Sequence, residues 1–248
     1  MPLPDGPKTA TNSPATMERS MRSTMVRRRF PEGSRRVRPR SWIRGVGIAL
    51  VYLTLAASAT AETKAPLVVF LGDSLTAGYG LPADESFPTL VAQSLRERGQ
   101  PIRMVNAGVS GDTTTGALNR LGYLLEQKPD LVVVGLGAND AFRGQPVESI
   151  EANLRSIVAK AKAAHARVLL LGMRIPTNFG PDYTDAFFGM YARVAKAEKV
   201  DLMPFLLEGV GGHAELNLED GVHPNREGQK IVAANVLKFV ERTLKASP

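Results

Sequence analysis

Short apolar runs alternate with helix-spaced segments from residue 66 onward, and this alternation constrains the fold more than any other feature. The runs have the length of strands, and they are continuous, which is typical of parallel strands covered on both faces. They span residues 67–71, 102–105, 131–136, 168–171 and, more weakly, 200–205. Because parallel neighbours need crossover connections, the pattern predicts an α/β fold, a three-layer α/β/α sandwich around a parallel sheet of roughly five strands.

Four of the intervening segments carry apolar residues at the spacing of one helix face. These residues are Phe87, Val91 and Leu95; Ala117, Leu121 and Leu124; Ile150, Leu154, Ile157 and Ala161; and Val232, Val236 and Val240. Pro146 and Pro224 are expected to open the last two helices, since proline is favoured in a first helical turn. Residues 62–248 contain no linker and no repeat, which favours a single domain.

The positive charge of the chain is confined to its first quarter. Residues 1–61 carry eleven Lys or Arg and three acidic residues, whereas residues 62–248 carry a net charge of −1. A domain without excess positive charge has little with which to displace the counterions of nucleic acids, so we expect no nucleic-acid partner. Cysteine is absent, which excludes disulfides.

Residues 45–61 form an uncharged apolar run that follows several arginines and ends in two Ala-x-Ala sites, at 57–59 and 59–61. This order predicts a secretory signal peptide cleaved near 59–61, and hence a periplasmic or secreted protein with no membrane span after cleavage. An uncleaved anchor of about 17 residues is the alternative. Export by the Sec route is favoured, while Arg35-Arg36 leaves the twin-arginine route open.

The segment before the signal peptide is rich in Pro, Ser and Thr and shows no apolar periodicity. It is therefore expected to be disordered. A start at Met25 would give the signal peptide a compact basic region, so we place the true start near residue 25.

Ser74 is the best candidate for a nucleophile, because it directly follows the first apolar run. A serine hydroxyl needs a base to take its proton. His223 stands three residues after Asp220, so a tight turn would bring the carboxylate to Nδ1 and leave Nε2 as the base. His165 is expected to face solvent on a helix, and His213 to lie in a loop, so neither is the expected base. The sequence thus predicts a catalytic set of Ser74, His223 and Asp220.

A hydrolase also needs donors for the negative charge that develops on the substrate oxygen. The backbone N–H groups of Ser74 and Gly108 and the side-chain amide of Asn139 follow three predicted strands, whose carboxyl ends meet at one edge of the sheet. Ordinary turn chemistry is the alternative for Gly108 and Asn139 taken singly.

These motifs resemble the SGNH or GDSL hydrolase family. Gly72-Asp73-Ser74-Leu75 is similar to its first block, 106–112 to its second, 137–140 to its third and 220–224 to its fifth. The resemblance is greatest to the bacterial periplasmic thioesterase, lysophospholipase and arylesterase subgroup. One departure is Ala138, where a glycine is usual.

The resemblance implies a flavodoxin-like fold for residues 62–248 and an exported serine esterase that cleaves acyl esters or thioesters through an acyl-enzyme. Ser74 would attack, His223 would serve as base and then acid, and Asp220 would orient it. Ser74, Gly108 and Asn139 would form the oxyanion hole. No metal and no cofactor is implied, and the expected partner is a small acyl ester or thioester bound by a monomer.

Six residues that follow the predicted strands are candidates for the substrate pocket. They are Tyr79, Phe142, Ile175, Pro176, Phe179 and Tyr183. Carbohydrate O-deacetylation remains an alternative, because acetylated sugars present the same carbonyl to the same residues. A metal-dependent phosphoesterase is a more remote alternative, since such sites need several histidines. An exported binding module that kept the fold is not expected to retain both Ser74 and His223.

Overall fold

The computed structural model describes residues 64–246, and it contains a central five-stranded sheet within them. The strands are β1 Leu67–Gly72, β2 Arg103–Gly108, β3 Leu131–Gly135, β4 Arg167–Leu171 and β5 Asp201–Met203. The helices are α1 Ser74–Ala77, α2 Phe87–Glu97, α3 Thr114–Leu125, α4 Ala138–Phe142, α5 Val147–Ala163, α6 Pro181–Glu198 and α7 Arg226–Lys245. The disordered extension, the signal peptide, the start and the cleavage site predicted in 1–61 lie outside the described residues.

The sheet is parallel throughout, in the order β2-β1-β3-β4-β5. Every residue of β1 and β3 is buried, which explains why these strands are continuous apolar runs. Helices α2 and α7 pack against each other, while α5 packs against both α3 and α6. Right-handed crossovers place the first pair on one face of the sheet and the other three on the opposite face. The predicted three-layer α/β/α sandwich is confirmed.

Local signals in the sequence fix where most helices begin. The Thr113 side chain accepts a hydrogen bond from the Gly116 N–H at 3.1 Å and caps α3. Helix α7 begins two residues after Pro224, because the Asn225 carboxamide oxygen accepts from the N–H groups of both Glu227 and Gly228.

Helix α6 was not predicted, because its aromatic residues were assigned to loops that follow the strands. Its buried face carries Phe187, Met190, Tyr191 and Val194, and the rings of Phe187 and Tyr191 meet edge to face at 5.6 Å. Much of its aromatic surface therefore belongs to the core. Among the residues described, no helix is both long and apolar enough to cross a membrane.

The order of the strands determines where a ligand can bind. Strand β1 has β2 on one side and β3 on the other, so the connections that leave β1 and β2 run to opposite faces. Such a reversal opens a crevice beyond the carboxyl ends of the strands. Residue Ser74, the loop after β2 and helix α4 all lie at this edge.

Candidate active site

A chain of hydrogen bonds joins Ser74, His223 and Asp220 across the crevice. The distance from Ser74 Oγ to His223 Nε2 is 2.8 Å, and that from His223 Nδ1 to Asp220 Oδ2 is 2.7 Å. Ser74 is the first residue of α1, whereas the other two lie in the turn before α7. The structure thus brings together the three residues that the sequence singles out, although 149 positions separate serine from histidine.

The turn from Asp220 to His223 is held by the Asp220 carboxylate itself. Its Oδ1 accepts the backbone N–H of Val222 at 2.8 Å and that of His223 at 2.9 Å. The His223 N–H contributes most, and together with the other donors it lowers the pKa of Asp220 to about 2. An ionised carboxylate therefore faces Nδ1 at neutral pH and holds the imidazole proton on that nitrogen.

Ser74 is placed by a tight turn at the end of β1. Asp73 caps α1, since its Oδ1 accepts the Leu75 N–H at 3.0 Å. A Cβ at residue 72 would lie 2.0 Å from Thr76 Oγ1, so only glycine fits there. Burial raises the pKa of Asp73 to about 6. Among residues 64–246, the Ser74 N–H donates to no protein group, which leaves it free for a ligand.

Asn139 is joined by a hydrogen bond to Asp73, the residue that directly precedes the nucleophile. Its Nδ2 donates to Asp73 Oδ2 at 3.3 Å, and the second amide hydrogen remains for a substrate. Asp140 anchors this helix to the start of α3, because its buried carboxylate accepts both the N–H of Thr114, at 2.9 Å, and its hydroxyl, at 2.6 Å. Tyr191 adds a further support that the sequence did not reveal, since its hydroxyl donates to the Leu136 carbonyl at 2.8 Å.

Gly108 does not present a free donor. Its N–H is bound to Asn106 Oδ1 at 3.0 Å. The reason for glycine is also different from the expected approach of a substrate, because a Cβ there would lie 2.3 Å from the backbone nitrogen of Ala77. Gly111, three residues further on, has a φ of +76° and an N–H with no partner in the described part of the chain. Gly111 was not among the donors predicted from the sequence.

Aromatic side chains flank the site. The Tyr79 ring packs on the His223 imidazole with centroids 4.5 Å apart. Phe142, Phe179 and Tyr183 form an aromatic strip with successive centroid distances of 6.0 and 6.2 Å. Phe142 is 45% exposed, so its ring is available for contact with a ligand.

The remaining pocket candidates differ in position. Ile175 was expected to line the pocket, but it is buried in the core cluster, because the segment that follows β4 packs inward there. Pro176 is exposed. Tyr183 lies on α6 rather than in a loop, and its hydroxyl donates to the Gln145 carbonyl.

The two other histidines lie away from any cluster of ligands. His165 is exposed in the turn between α5 and β4, and His213 is exposed beside Glu215. Within residues 64–246, no group of three or more His, Asp or Glu side chains could hold a metal ion.

Comparison with known proteins identifies relatives over most of the chain. Residues 70–231 match the GDSL-like Lipase/Acylhydrolase family. An arylesterase of Vibrio mimicus is 41% identical over 82% of this chain and 100% of its own length. Thioesterase 1/protease 1/lysophospholipase L1 of Escherichia coli K12 is 40% identical over 74% of this chain and 85% of its own length.

A solved structure shows the same architecture. The psychrotrophic esterase EstA from Pseudoalteromonas sp., inhibited by monoethylphosphonate, superimposes with a TM-score of 0.70 at 34% identity, over 73% of this chain and all of EstA. Both the serine-histidine-aspartate geometry and these relatives indicate serine ester hydrolysis. The chain belongs to the GDSL-like lipase/acylhydrolase family.

Proposed function

We propose that this protein hydrolyses aryl esters, acyl thioesters or lysophospholipids through an acyl-enzyme formed on Ser74. The observation that carries the proposal is the unbroken hydrogen-bonded chain from Ser74 Oγ through His223 to an ionised Asp220. The names of the relatives, arylesterase and thioesterase/lysophospholipase, support these substrate classes.

The reaction proceeds in two halves. As Ser74 Oγ bonds to the acyl carbon, His223 Nε2 takes the hydroxyl proton, and Asp220 stabilises the imidazolium that forms. The bond from the acyl carbon to the leaving oxygen or sulfur then breaks, and the proton passes from Nε2 to the leaving group. Water attacks the acyl-enzyme in the second half, with His223 again as base and then acid, and Ser74 is regenerated.

Donors at the ends of three strands stabilise the oxyanion of both tetrahedral intermediates. The Ser74 N–H and the second Nδ2 hydrogen of Asn139 are both unengaged by protein groups in the described residues. For the third donor, Gly108 would have to exchange Asn106 for the substrate, whereas Gly111 has its N–H free. Each such donor contributes about 3 kcal/mol to the barrier reduction, so we assign the third position to Gly111 in preference to Gly108.

The aromatic strip predicts a preference for esters with medium acyl chains. If Phe142→Ala removes about 50 Å² of apolar contact with an octanoyl chain, the loss at about 25 cal/mol per Å² is about 1.3 kcal/mol. We therefore expect kcat/KM for p-nitrophenyl octanoate to fall roughly tenfold, while the acetate ester, whose acyl group is much shorter, changes less than about twofold. Initial rates over a series from acetyl to palmitoyl measure this.

Tyr123→Ala provides the matched control for this series. Tyr123 is also an exposed aromatic residue, at 74%, but it lies on α3 and has no contact with the strip. Equal losses for acetate and octanoate in Phe142→Ala would contradict the assignment. A wild-type enzyme that prefers acetyl esters and cleaves acetylated sugars fastest would favour carbohydrate O-deacetylation instead.

We also propose that the enzyme is exported and acts in the periplasm or outside the cell. The support is the separation of charge between residues 1–61, at +8, and the rest of the chain, together with the apolar run that ends in Ala-x-Ala sites. Intact-mass measurement of protein recovered from the periplasm is expected to show an N-terminus near residue 60. A mass that retains residues before Ala57 would contradict cleavage.

A further inference from the structure

We propose that Arg120 is a positioning residue for acyl transfer, which fixes the loop after β2 relative to the nucleophile. The inference rests on the proposed role of Ser74. Arg120 lies on α3 and is not expected to touch the substrate. It contacts the end of β1 and the loop 109–112, which carries the candidate oxyanion donor Gly111.

The carbonyl oxygen of Gly72 is where these two parts of the site meet. Gly72 is the last residue of β1 and stands two positions before Ser74. Its carbonyl accepts the Val109 N–H at 3.0 Å and Arg120 Nη2 at 3.2 Å. One oxygen therefore joins the nucleophile strand, the β2 loop and α3.

The same guanidinium holds the other end of the loop. Arg120 Nε and Nη2 both lie 2.8 Å from Asp112 Oδ2, and the two side chains are 27% and 10% exposed. The Asp112 N–H donates to the Val109 carbonyl at 3.0 Å and closes the loop. The planar guanidinium presents Nε and Nη2 side by side to the carboxylate while Nη2 also reaches the carbonyl, a geometry that the single nitrogen of lysine does not reproduce.

Gly116 provides the space that this ion pair needs. A Cβ at residue 116 would lie 2.0 Å from Asp112 Oδ1. Glycine destabilises a helix relative to alanine, so α3 loses some stability to leave room for the carboxylate. The Gly116→Ala change consequently displaces Asp112 without altering any charge.

Misplacement of the loop should slow the chemical step rather than weaken substrate binding. Hydrogen bonds to the oxyanion form only when the tetrahedral intermediate develops, so their loss lowers kcat and leaves KM largely unchanged. An error of about 1 Å in such a contact costs up to roughly 100-fold.

The test compares Arg120→Met and Arg120→Lys with Arg155→Met as a matched control. Arg155 also makes a helical ion pair, at 2.8 Å with Glu151, but on α5. We expect kcat of Arg120→Met to fall roughly 10- to 100-fold with KM within about twofold. Arg120→Lys should recover part of the loss, because it keeps the charge opposite Asp112 but cannot also hold the carbonyl. The Arg155 variant should match wild type.

Gly116→Ala gives a second, independent displacement of the same loop. This variant should also lower kcat, even though alanine stabilises a helix relative to glycine. If Arg120→Met does not fold, Gly116→Ala provides the test instead. Rates are measured on folded protein well below each Tm. Unchanged kcat in folded Arg120→Met or Gly116→Ala, or a loss confined to KM, would overturn the inference. The proposed acyl-enzyme route fails separately, if Ser74→Ala retains activity.

Discussion

Ser74→Ala is expected to abolish ester hydrolysis, with kcat for p-nitrophenyl butyrate reduced by about 10⁴-fold or more. Without Oγ no acyl-enzyme can form, and only the donors for the oxyanion and the binding of substrate remain to assist attack by water. The hydroxyl makes one side-chain hydrogen bond, to His223 at 2.8 Å. Its removal should therefore leave the Tm close to that of wild type.

A covalent probe shows whether Ser74 is the residue that reacts. A fluorophosphonate should add its phosphonyl group to wild-type protein as fluoride leaves and Oγ bonds to phosphorus, and intact mass should show no adduct on Ser74→Ala. Ser156→Ala is the control, because that serine lies on the exposed side of α5 and its hydroxyl donates to the Ala152 carbonyl. Activity of Ser74→Ala above about a tenth of wild type would refute the assignment of the nucleophile.

The sheet and the three central residues were predictable because their signals are local. A strand buried on both faces must be a continuous apolar run, and β1 and β3 are visible in the sequence for that reason. The turn that joins Asp220 to His223 spans only three positions. The parallel topology then brings Ser74 to the same edge of the sheet, so long-range information was needed only for the order of the strands.

Contacts between distant elements were not predictable in the same way. The need for glycine at position 108 arises from α1, which packs against the end of β2. Arg120 looks like any polar residue on a helix, yet it contacts the end of β1 48 positions away. Helix α6 was missed, and Tyr183 in its first turns was assigned to a loop that lines the substrate pocket. The roles of these residues are set by neighbours that are distant in the sequence.

Asp220→Asn is expected to lower kcat by about 10³- to 10⁴-fold while the turn keeps its shape. Oδ1 accepts the N–H groups of Val222 and His223, so the asparagine oxygen must take that position. The amide nitrogen then faces His223 Nδ1, where the carboxylate Oδ2 now lies at 2.7 Å. An amide donor at Nδ1 forces the imidazole proton onto Nε2, and this nitrogen can no longer accept the proton of Ser74.

The pH dependence of the Asp220→Asn defect follows from the pKa of the carboxyl that it replaces. Hydrogen bonds from His223 N–H foremost, and from Val222 N–H, lower the pKa of Asp220 from 3.8 to about 2. A carboxyl whose pKa is lower in the folded than in the unfolded protein stabilises the fold at any pH above its unfolded pKa. This contribution to the free energy of unfolding is lost only as the pH falls from about 4 toward 2. Asp220 is thus fully ionised from pH 7.5 to 9, where an ordinary imidazole is also neutral, so the ratio of wild-type to variant kcat should stay constant over that range.

Asp182 is an exposed aspartate on α6, and the Asp182→Asn variant is the control, which should match wild type. A ratio that shrinks toward unity between pH 9 and 7.5 would mean that the carboxylate does not act as an anion beside His223.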